Sequence, residues 1–342
     1  MTDPAAPTPA DGNVHHAKRL EETLFEVKRV IVGQDRMVER AMISLLARGH
    51  CLIEGVPGIA KTLTVSTLAR VVGGSFARLQ FTPDLVPADI VGTRVWRPSR
   101  EEFDIEWGPV FANLVLADEI NRAPAKVQSA LLEVMAERHV SIAGQTRSLP
   151  TPFLVLATQN PIESEGVYAL PEAQRDRFLM QIVVNQPSYP EEIEIARRMG
   201  VRPPQAEQVL TLDQLTELQR AVDDIFVHHA VQDYAVRLVM ATRDPAGWGV
   251  PAVAPHIGLG ASPRATLGLL AAGRALALLR GRRFLVPQDV YDVAPEVLRH
   301  RLILTYDALA DGVTPDDVVR QLLATMPQPQ VTPRQEGLQD TA

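Results

Sequence analysis

Three short stretches carry residue types suited to chemistry on a phosphate group. The first is Gly55-Val56-Pro57-Gly58-Ile59-Ala60-Lys61-Thr62, with Leu63 following. A short apolar run precedes it and a helical pattern follows. In that strand–loop–helix context, backbone N–H groups and the start of a helix face an anion. Lys61 would reach the β- and γ-phosphates of a nucleotide, and the Thr62 hydroxyl would ligate Mg²⁺. The general pattern has Gly where this chain has Ala60, and an ordinary strand-to-helix turn is the plain alternative. The second stretch, Leu114-Val115-Leu116-Ala117-Asp118-Glu119, is an apolar run ending in two acids. It puts carboxylates at the carboxyl end of a sheet, where open α/β folds bind ligands. Asp118 is expected to support the Mg²⁺ shell and Glu119 to polarise an attacking water. An acidic cap on the next helix is the competing explanation. The third stretch runs from Phe153 to Thr158-Gln159-Asn160. Asn160 is a candidate for positioning the γ-phosphate and water, although an Asn after a strand is commonly a turn residue.

These residues need a sheet beneath them. The first half alternates short apolar runs at 51–54, 77–80, 114–117, 153–157 and 179–184 with helical patterns such as 124–137. That alternation predicts a mostly parallel sheet wrapped by helices. The second half reads as helices with clear start signals. Thr211-Leu212-Asp213-Gln214 is a capping box, and Ser262-Pro263 and Thr314-Pro315 set a hydroxyl before a first-turn proline. The stretch 187–190 reads as a hinge and 244–260 as a long loop. Both ends, 1–14 and 327–342, are poor in residues to bury and read as disordered tails.

Composition narrows the class. With 342 residues the chain suits roughly two domains at about 150 residues each. A single cysteine, Cys51, forbids an internal disulfide and a multi-cysteine zinc site and fits a reducing compartment, so the cytoplasm is the expected location. The net charge of −7 argues against coating nucleic acid. No apolar run approaches the roughly 18 residues of a membrane span. His15-His16 could suggest a metal tract but on an exposed segment reads as solvated, and His228-His229, as adjacent residues, point in different directions and do not predict a shared metal.

The order of phosphate loop, acidic strand and Thr-Gln-Asn strand resembles an AAA+ ATPase, and the wording is similar to the MoxR family. The matching segments begin with the phosphate loop, including Ala60, then Phe81-Thr82-Pro83-Asp84 and Asp118-Glu119-Ile120-Asn121-Arg122-Ala123. Thr158-Gln159-Asn160-Pro161-Ile162-Glu163, Leu170-Pro171-Glu172-Ala173-Gln174-Arg175-Asp176-Arg177-Phe178 and Gly260-Ala261-Ser262-Pro263-Arg264 complete them. The resemblance implies a P-loop NTPase fold. A three-layer αβα core with a parallel sheet would span 15–186, and an all-α helical lid 187–326. It places Val32-Gly33-Gln34 beside the adenine. It assigns Arg177 as an arginine finger delivered to the adjacent subunit's ATP and Arg264 as a second sensor delivered by the lid. Arg175 departs from the apolar residue usual there, which leaves Arg175 and Arg177 both open as the finger. A cation at Arg264, just after a helix start, is better explained by an anion opposite it than by the helix's own dipole. Two insertions of this clade match 92–110, with Trp96 and Trp107 flanking a charged tip, and 140–153, with Ala143-Gly144 at its turn. Both read as hairpins, and the two tryptophans as packing across the first.

The function implied is a ring-forming, Mg²⁺-dependent ATP hydrolase, expected as a hexamer, that remodels or matures protein complexes. The usual clients are protein complexes, and a von Willebrand factor A domain protein is a common partner. A DNA-directed motor or transcription-activating ATPase, a chelatase subunit and a nucleotide-gated scaffold are the alternatives. The uncharged turn at 143–146 disfavours the first of these, and Glu119, a carboxylate suited to activating water, disfavours the last.

Overall fold

The computed structural model describes residues 9–99, 101–161 and 167–330, with side chains from residue 14 onward. Helix α1 (Pro9–Val30) and α2 (Asp35–Leu46) precede strand β1 (Cys51–Glu54), α3 (Lys61–Val71), β2 (Phe76–Gln80) and α4 (Pro87–Val91). A first hairpin, β3 (Gly92–Arg97) and β4 (Glu102–Trp107), leads into β5 (Leu114–Asp118) and α5 (Ala125–Glu137). A second hairpin, β6 (His139–Ile142) and β7 (Gln145–Ser148), leads into β8 (Leu154–Gln159), α6 (Glu172–Arg175) and β9 (Met180–Val183). The remainder is mainly helical: α7 (Tyr189–Met199), α8 (Leu212–Asp223), α9 (His229–Arg243), β10 (Ile257–Leu259), α10 (Pro263–Leu279) and α11 (Pro287–Leu298). It ends with β11 (Ile303–Leu304), α12 (Tyr306–Ala310) and α13 (Pro315–Thr325).

The main sheet has the order β2-β5-β8-β1-β9, and all of its strand pairs are parallel. Strands buried on both faces need continuous apolar runs, which is how β1, β5 and β8 read. Their period of two divides the side chains between two cores. Cys51, Ile53, Leu114, Leu116, Leu154 and Leu156 face a cluster shared with α1, α2, α3 and the helices of the second half. Leu52, Val115, Ala117, Val155 and Ala157 face a cluster built with α5. The helical half therefore shares one core with one face of the sheet.

Local start signals act as expected. Thr211 accepts from the Gln214 N–H while Gln214 Oε1 accepts from the Thr211 N–H. Ser262 and Thr314 accept from the Arg264 and Asp317 N–H groups. His228 caps α9 through a ring nitrogen that accepts from the Ala230 N–H. The second hairpin turns at Ala143 (φ 50) and Gly144 (φ 83), the two positive φ values of a type I′ turn.

Two expectations need correction. The first tail does not extend to residue 14, because α1 begins at Pro9; a proline in the first turn gives up an N–H that has no helical partner anyway. Residues 1–8 of that tail, and 331–342 of the other, lie outside the described residues. The stretch 244–260 is not one long loop, since a 3₁₀ turn (Pro251–His256) and β10 occupy it, with β10 antiparallel to β11. Residues 187–190, expected as the hinge between the halves, lead into α7, where the Ser188 N–H donates to Glu191 Oε2 at 2.6 Å. In the first hairpin Trp96 packs across the strands as expected, whereas Trp107 packs on a residue beyond the hairpin. The register sets Trp96 opposite Phe103 and Trp107 opposite Gly92. Trp96 meets Phe103 edge-on at 5.0 Å, and Trp107 meets Phe111 at the same distance.

Candidate active site

The loop between β1 and α3 needs two unusual backbone positions. Gly58 has φ 84, and a Cβ there would meet nothing within 4 Å, so the loop is open on that side. Ala60, immediately before α3, has φ 61, the left-handed conformation in which Gly is the usual choice. Gly55 is a glycine for another reason: a Cβ would lie 2.8 Å from the Val184 carbonyl oxygen. Among the described residues, no group accepts a hydrogen bond from the backbone N–H of Val56, Gly58, Ile59 or Ala60. The first-turn N–H groups of α3 add further donors with no helical acceptor. Lys61 folds back over the loop, its Nζ donating to the Gly55 carbonyl at 2.6 Å. Thr62 is half-buried beside it and Leu63 is exposed.

Strand β8 lies between β1 and β5. At the usual strand spacing the carboxyl ends of β1 and β5 are therefore about 10 Å apart. Asp118 closes β5, and Glu119 follows in a left-handed conformation (φ 58). Thr158 of β8 locks both: its Oγ1 donates to Asp118 Oδ1 at 2.7 Å and accepts from the Glu119 N–H at 2.8 Å. Asn160 is buried just beyond the end of β8. The other oxygen of Asp118, Oδ2, accepts from Arg78 Nε at 3.1 Å and Nη2 at 2.7 Å. Glu119 Oε2 accepts from Gln80 Nε2 at 2.9 Å and faces Arg122 Nε at 3.1 Å. Val32, Gly33 and Gln34 bridge α1 and α2 (Gly33 at φ 75 beside the Glu191 side chain), and the Gln34 amide donates to the Asn185 carbonyl at 3.2 Å. These groups lie on the side of the sheet where the strands end, because Gln80, Asp118, Gln159 and Glu54 are the last residues of their strands.

Arg177 and Arg264 are elsewhere. Met180 pairs with Cys51 at the beginning of the parallel β9 and β1, so residues 175–178 lie off the opposite end of the sheet from the loop. The length of β1 alone separates the two regions by about 10 Å. Arg264 belongs to this second region, its Nη1 3.6 Å from Asp176 Oδ2. The carboxylate of Asp176 also accepts from Ser262 Oγ at 2.8 Å and from Arg301 Nε at 2.8 Å. Arg301 is buried and donates to the carbonyls of Phe178 (2.6 Å), Leu179 (3.2 Å) and Val297. Arg175 is partly buried with an inward Nε that has no described partner, whereas Arg177 is exposed and makes no ion pair with a described residue. The motif residues Ile162 and Glu163 and the hairpin-tip residue Arg100 lie outside the described residues.

Sequence reasoning assigned no part to Arg78, Gln80, Asp176 or Arg301. Arg78 and Gln80 left a trace, since they interrupt the apolar run at 77–80 with polar groups two apart, on one face of an edge strand. Arg301 left none, as its partner is 125 residues away.

A strand–loop–helix turn bearing Lys61 and an acidic strand end on a parallel αβα sheet, with a helical unit behind it, form the architecture of an AAA ATPase. Residues 50–180 match the ATPase family associated with various cellular activities (AAA), and 251–322 match the AAA lid domain. The chain is 62% identical over 327 residues to Chaperone MoxR1 of Mycobacterium tuberculosis, covering 96% of this chain and 87% of that one. It is 34% identical to Protein MoxR of Methylorubrum extorquens, covering 89% and 93%. A solved structure of an ATPase candidate from Cytophaga hutchinsonii superposes with a TM-score of 0.89 at 41% identity, covering 94% of this chain and 98% of that one. The chain belongs to the MoxR family of AAA+ ATPases. No helix among the described residues is long and apolar enough to cross a membrane.

Proposed function

We propose that this MoxR-family ATPase hydrolyses ATP to ADP and phosphate in a Mg²⁺-dependent reaction and couples it to the remodelling or maturation of protein complexes. The carrying observation is the neighbourhood of the Lys61 loop and the Asp118–Glu119 pair at the ends of strands flanking β8. The residues suit the ligands. Four loop N–H groups without described acceptors, an open face at Gly58 and the Lys61 ammonium match a chain of phosphates. The Thr62 hydroxyl and the Asp118 carboxylate are hard oxygen donors of the kind that hold Mg²⁺. Bound there, the ion would neutralise phosphate charge and orient the nucleotide.

The chain's own groups supply the rest. Lys61 would exchange the Gly55 carbonyl for the β- and γ-phosphates, with Val56, Pro57, Gly58, Ile59, Ala60 and Leu63 shaping the loop and Val32, Gly33 and Gln34 beside the base. Glu119 would take the proton of the attacking water, and Asn160 would orient that water. Arg177 is the finger this reading favours, because it is exposed and makes no ion pair with a described residue, while Arg175 is partly buried and faces Glu172 of its own helix. Arg264 lies on the same end of the molecule as Arg177, so both serve a neighbouring subunit's nucleotide rather than the chain's own. The working assembly is a ring, expected as a hexamer. The proposed partners are client protein complexes and a von Willebrand factor A domain protein, in the cytoplasm. Family membership and a relative named as a chaperone support this, as does a single, unpaired cysteine.

Glu119→Gln tests the reading. It should bind ATP as the parent chain does in isothermal titration, while phosphate release falls by about 10²–10⁴-fold. Turnover within a few-fold of the parent would remove Glu119 from the mechanism.

A further inference from the structure

Asp118 has both carboxylate oxygens engaged within the protein. Oδ1 accepts from Thr158, a neutral hydroxyl that also holds the Glu119 N–H. Oδ2 accepts twice from Arg78, a full positive charge at 2.7 and 3.1 Å. The same Arg78 Nη2 donates to Gln80 Oε1 at 2.8 Å, and the Gln80 amide nitrogen donates to Glu119 Oε2 at 2.9 Å. A continuous hydrogen-bonded line thus runs from the metal-side carboxylate to the water-side carboxylate through two residues of β2. The line lies on an edge strand, where Arg78 is about half exposed (49%) and Asp118 is mostly buried (12%). The guanidinium therefore has solvent beside it to turn into, while the carboxylate is held from the other side by Thr158.

We infer that Arg78 is an electrostatic latch on Asp118, a positioning residue that occupies the carboxylate when no metal–nucleotide is present and must leave Oδ2 before Asp118 can face a second cation. The inference rests on the assignment of Asp118 to the metal made above. Two cations on one carboxylate oxygen, a few ångströms apart, repel strongly in a partly buried site. The guanidinium therefore weakens metal affinity in the parent chain and makes occupancy of the site sensitive to metal concentration. When Arg78 swings out, Gln80 loses its guanidinium partner as well, so release at Asp118 alters the hold on Glu119. Arg78 acts through the two acids, on Asp118 directly and on Glu119 by way of Gln80.

The test is Mn²⁺ binding, read from the electron paramagnetic resonance signal of free Mn²⁺, with saturating non-hydrolysable ATP analogue. Arg78→Met, which keeps the length and removes the charge, should bind Mn²⁺ about tenfold or more tightly than the parent. Arg78→Gln should do the same. Arg78→Lys keeps the charge and should return the affinity to within about threefold of the parent, which a merely structural role would not require. Asp118→Asn separates the two readings. If it binds Mn²⁺ as tightly as the parent chain, Asp118 is not a metal ligand and the assignment beneath the latch fails. If Asp118→Asn weakens binding but neither Arg78→Met nor Arg78→Gln tightens it, the metal site stands and the latch is refuted. Weaker binding in both uncharged variants, at unchanged melting temperature, refutes it equally, since Arg78 would then be supporting the metal.

Discussion

Acidification should destabilise the nucleotide-binding core through one buried histidine, His50, at the entrance to β1. Its Nδ1 accepts from the Val155 N–H at 3.0 Å, and its Nε2 lies 3.3 Å from the Met135 carbonyl. That pair of contacts admits only the neutral ring with the proton on Nε2; a second proton would oppose the Val155 N–H. Burial, and secondarily the nearby Arg138, lower its pKa from 6.5 to about 4. Between those values the unfolded chain binds a proton that the folded chain refuses. Unfolding free energy therefore rises with pH across this window. The stability is complete above pH 6.5 and is lost as pH falls toward 4. At 1.36 kcal/mol per pH unit, the loss from pH 7 to pH 4 is about 3 kcal/mol. His300, also buried and lowered by desolvation and by Arg301, adds in the same direction. Urea unfolding of the parent and of His50→Asn at several pH values isolates the effect. The variant is less stable at neutral pH, and the gap should close by about 3 kcal/mol on reaching pH 4. A gap that is constant with pH would refute the reasoning, as would a His50 ring titrating near 6.5 by NMR.

Asp176→Ala should cost about 2–3 kcal/mol in denaturant unfolding, toward the low end for a broken buried pair because Asp176 is partly exposed, and a loss below about 0.5 kcal/mol would show that the carbonyl acceptors of Arg301 suffice. Ala60→Gly should be neutral within about 0.5 kcal/mol, since relief of the left-handed Ala offsets the added chain entropy of Gly, and should leave ATP affinity unchanged; a tenfold loss of affinity would count against the loop geometry. Arg177→Ala should retain ATP binding and lose about 10³-fold or more in hydrolysis, with partial recovery on mixing with Lys61→Ala chains. Loss of turnover from Arg175→Ala instead would reassign the finger.

How much of this was legible in the sequence depended on range. The strands that run continuously apolar, β1, β5 and β8, could be read within a residue or two, because burial on both faces leaves little freedom in composition. The helix starts at Thr211, Ser262 and Thr314 were equally readable, since a cap and its recipient are three residues apart or closer. The phosphate loop and the Asp118–Glu119 pair were visible as local patterns. What closes around them was not. Thr158 and Arg78 reach Asp118 from 40 residues away on either side, and only the order β2-β5-β8 brings them together. The ring partners of the two tryptophans, Phe103 and Phe111, were not assigned, because hairpin register decides which side chains meet.

The placement of Asp176, Arg177 and Arg264 off the amino ends of the strands, with the phosphate loop off the carboxyl ends, gives each molecule two unlike poles. A contact that joins one pole to the other is head-to-tail and cannot be satisfied by a two-fold pair. Such contacts either close into a cycle or continue as an open helix. A closed cycle has as many shared sites as subunits, while an open row always has one fewer, with an unaided loop at one end and unused arginines at the other. Under the assignment of both arginines to a neighbour, the terminal subunit would hold nucleotide without hydrolysing it. Catalytic capacity per chain would then report directly on whether the assembly has closed.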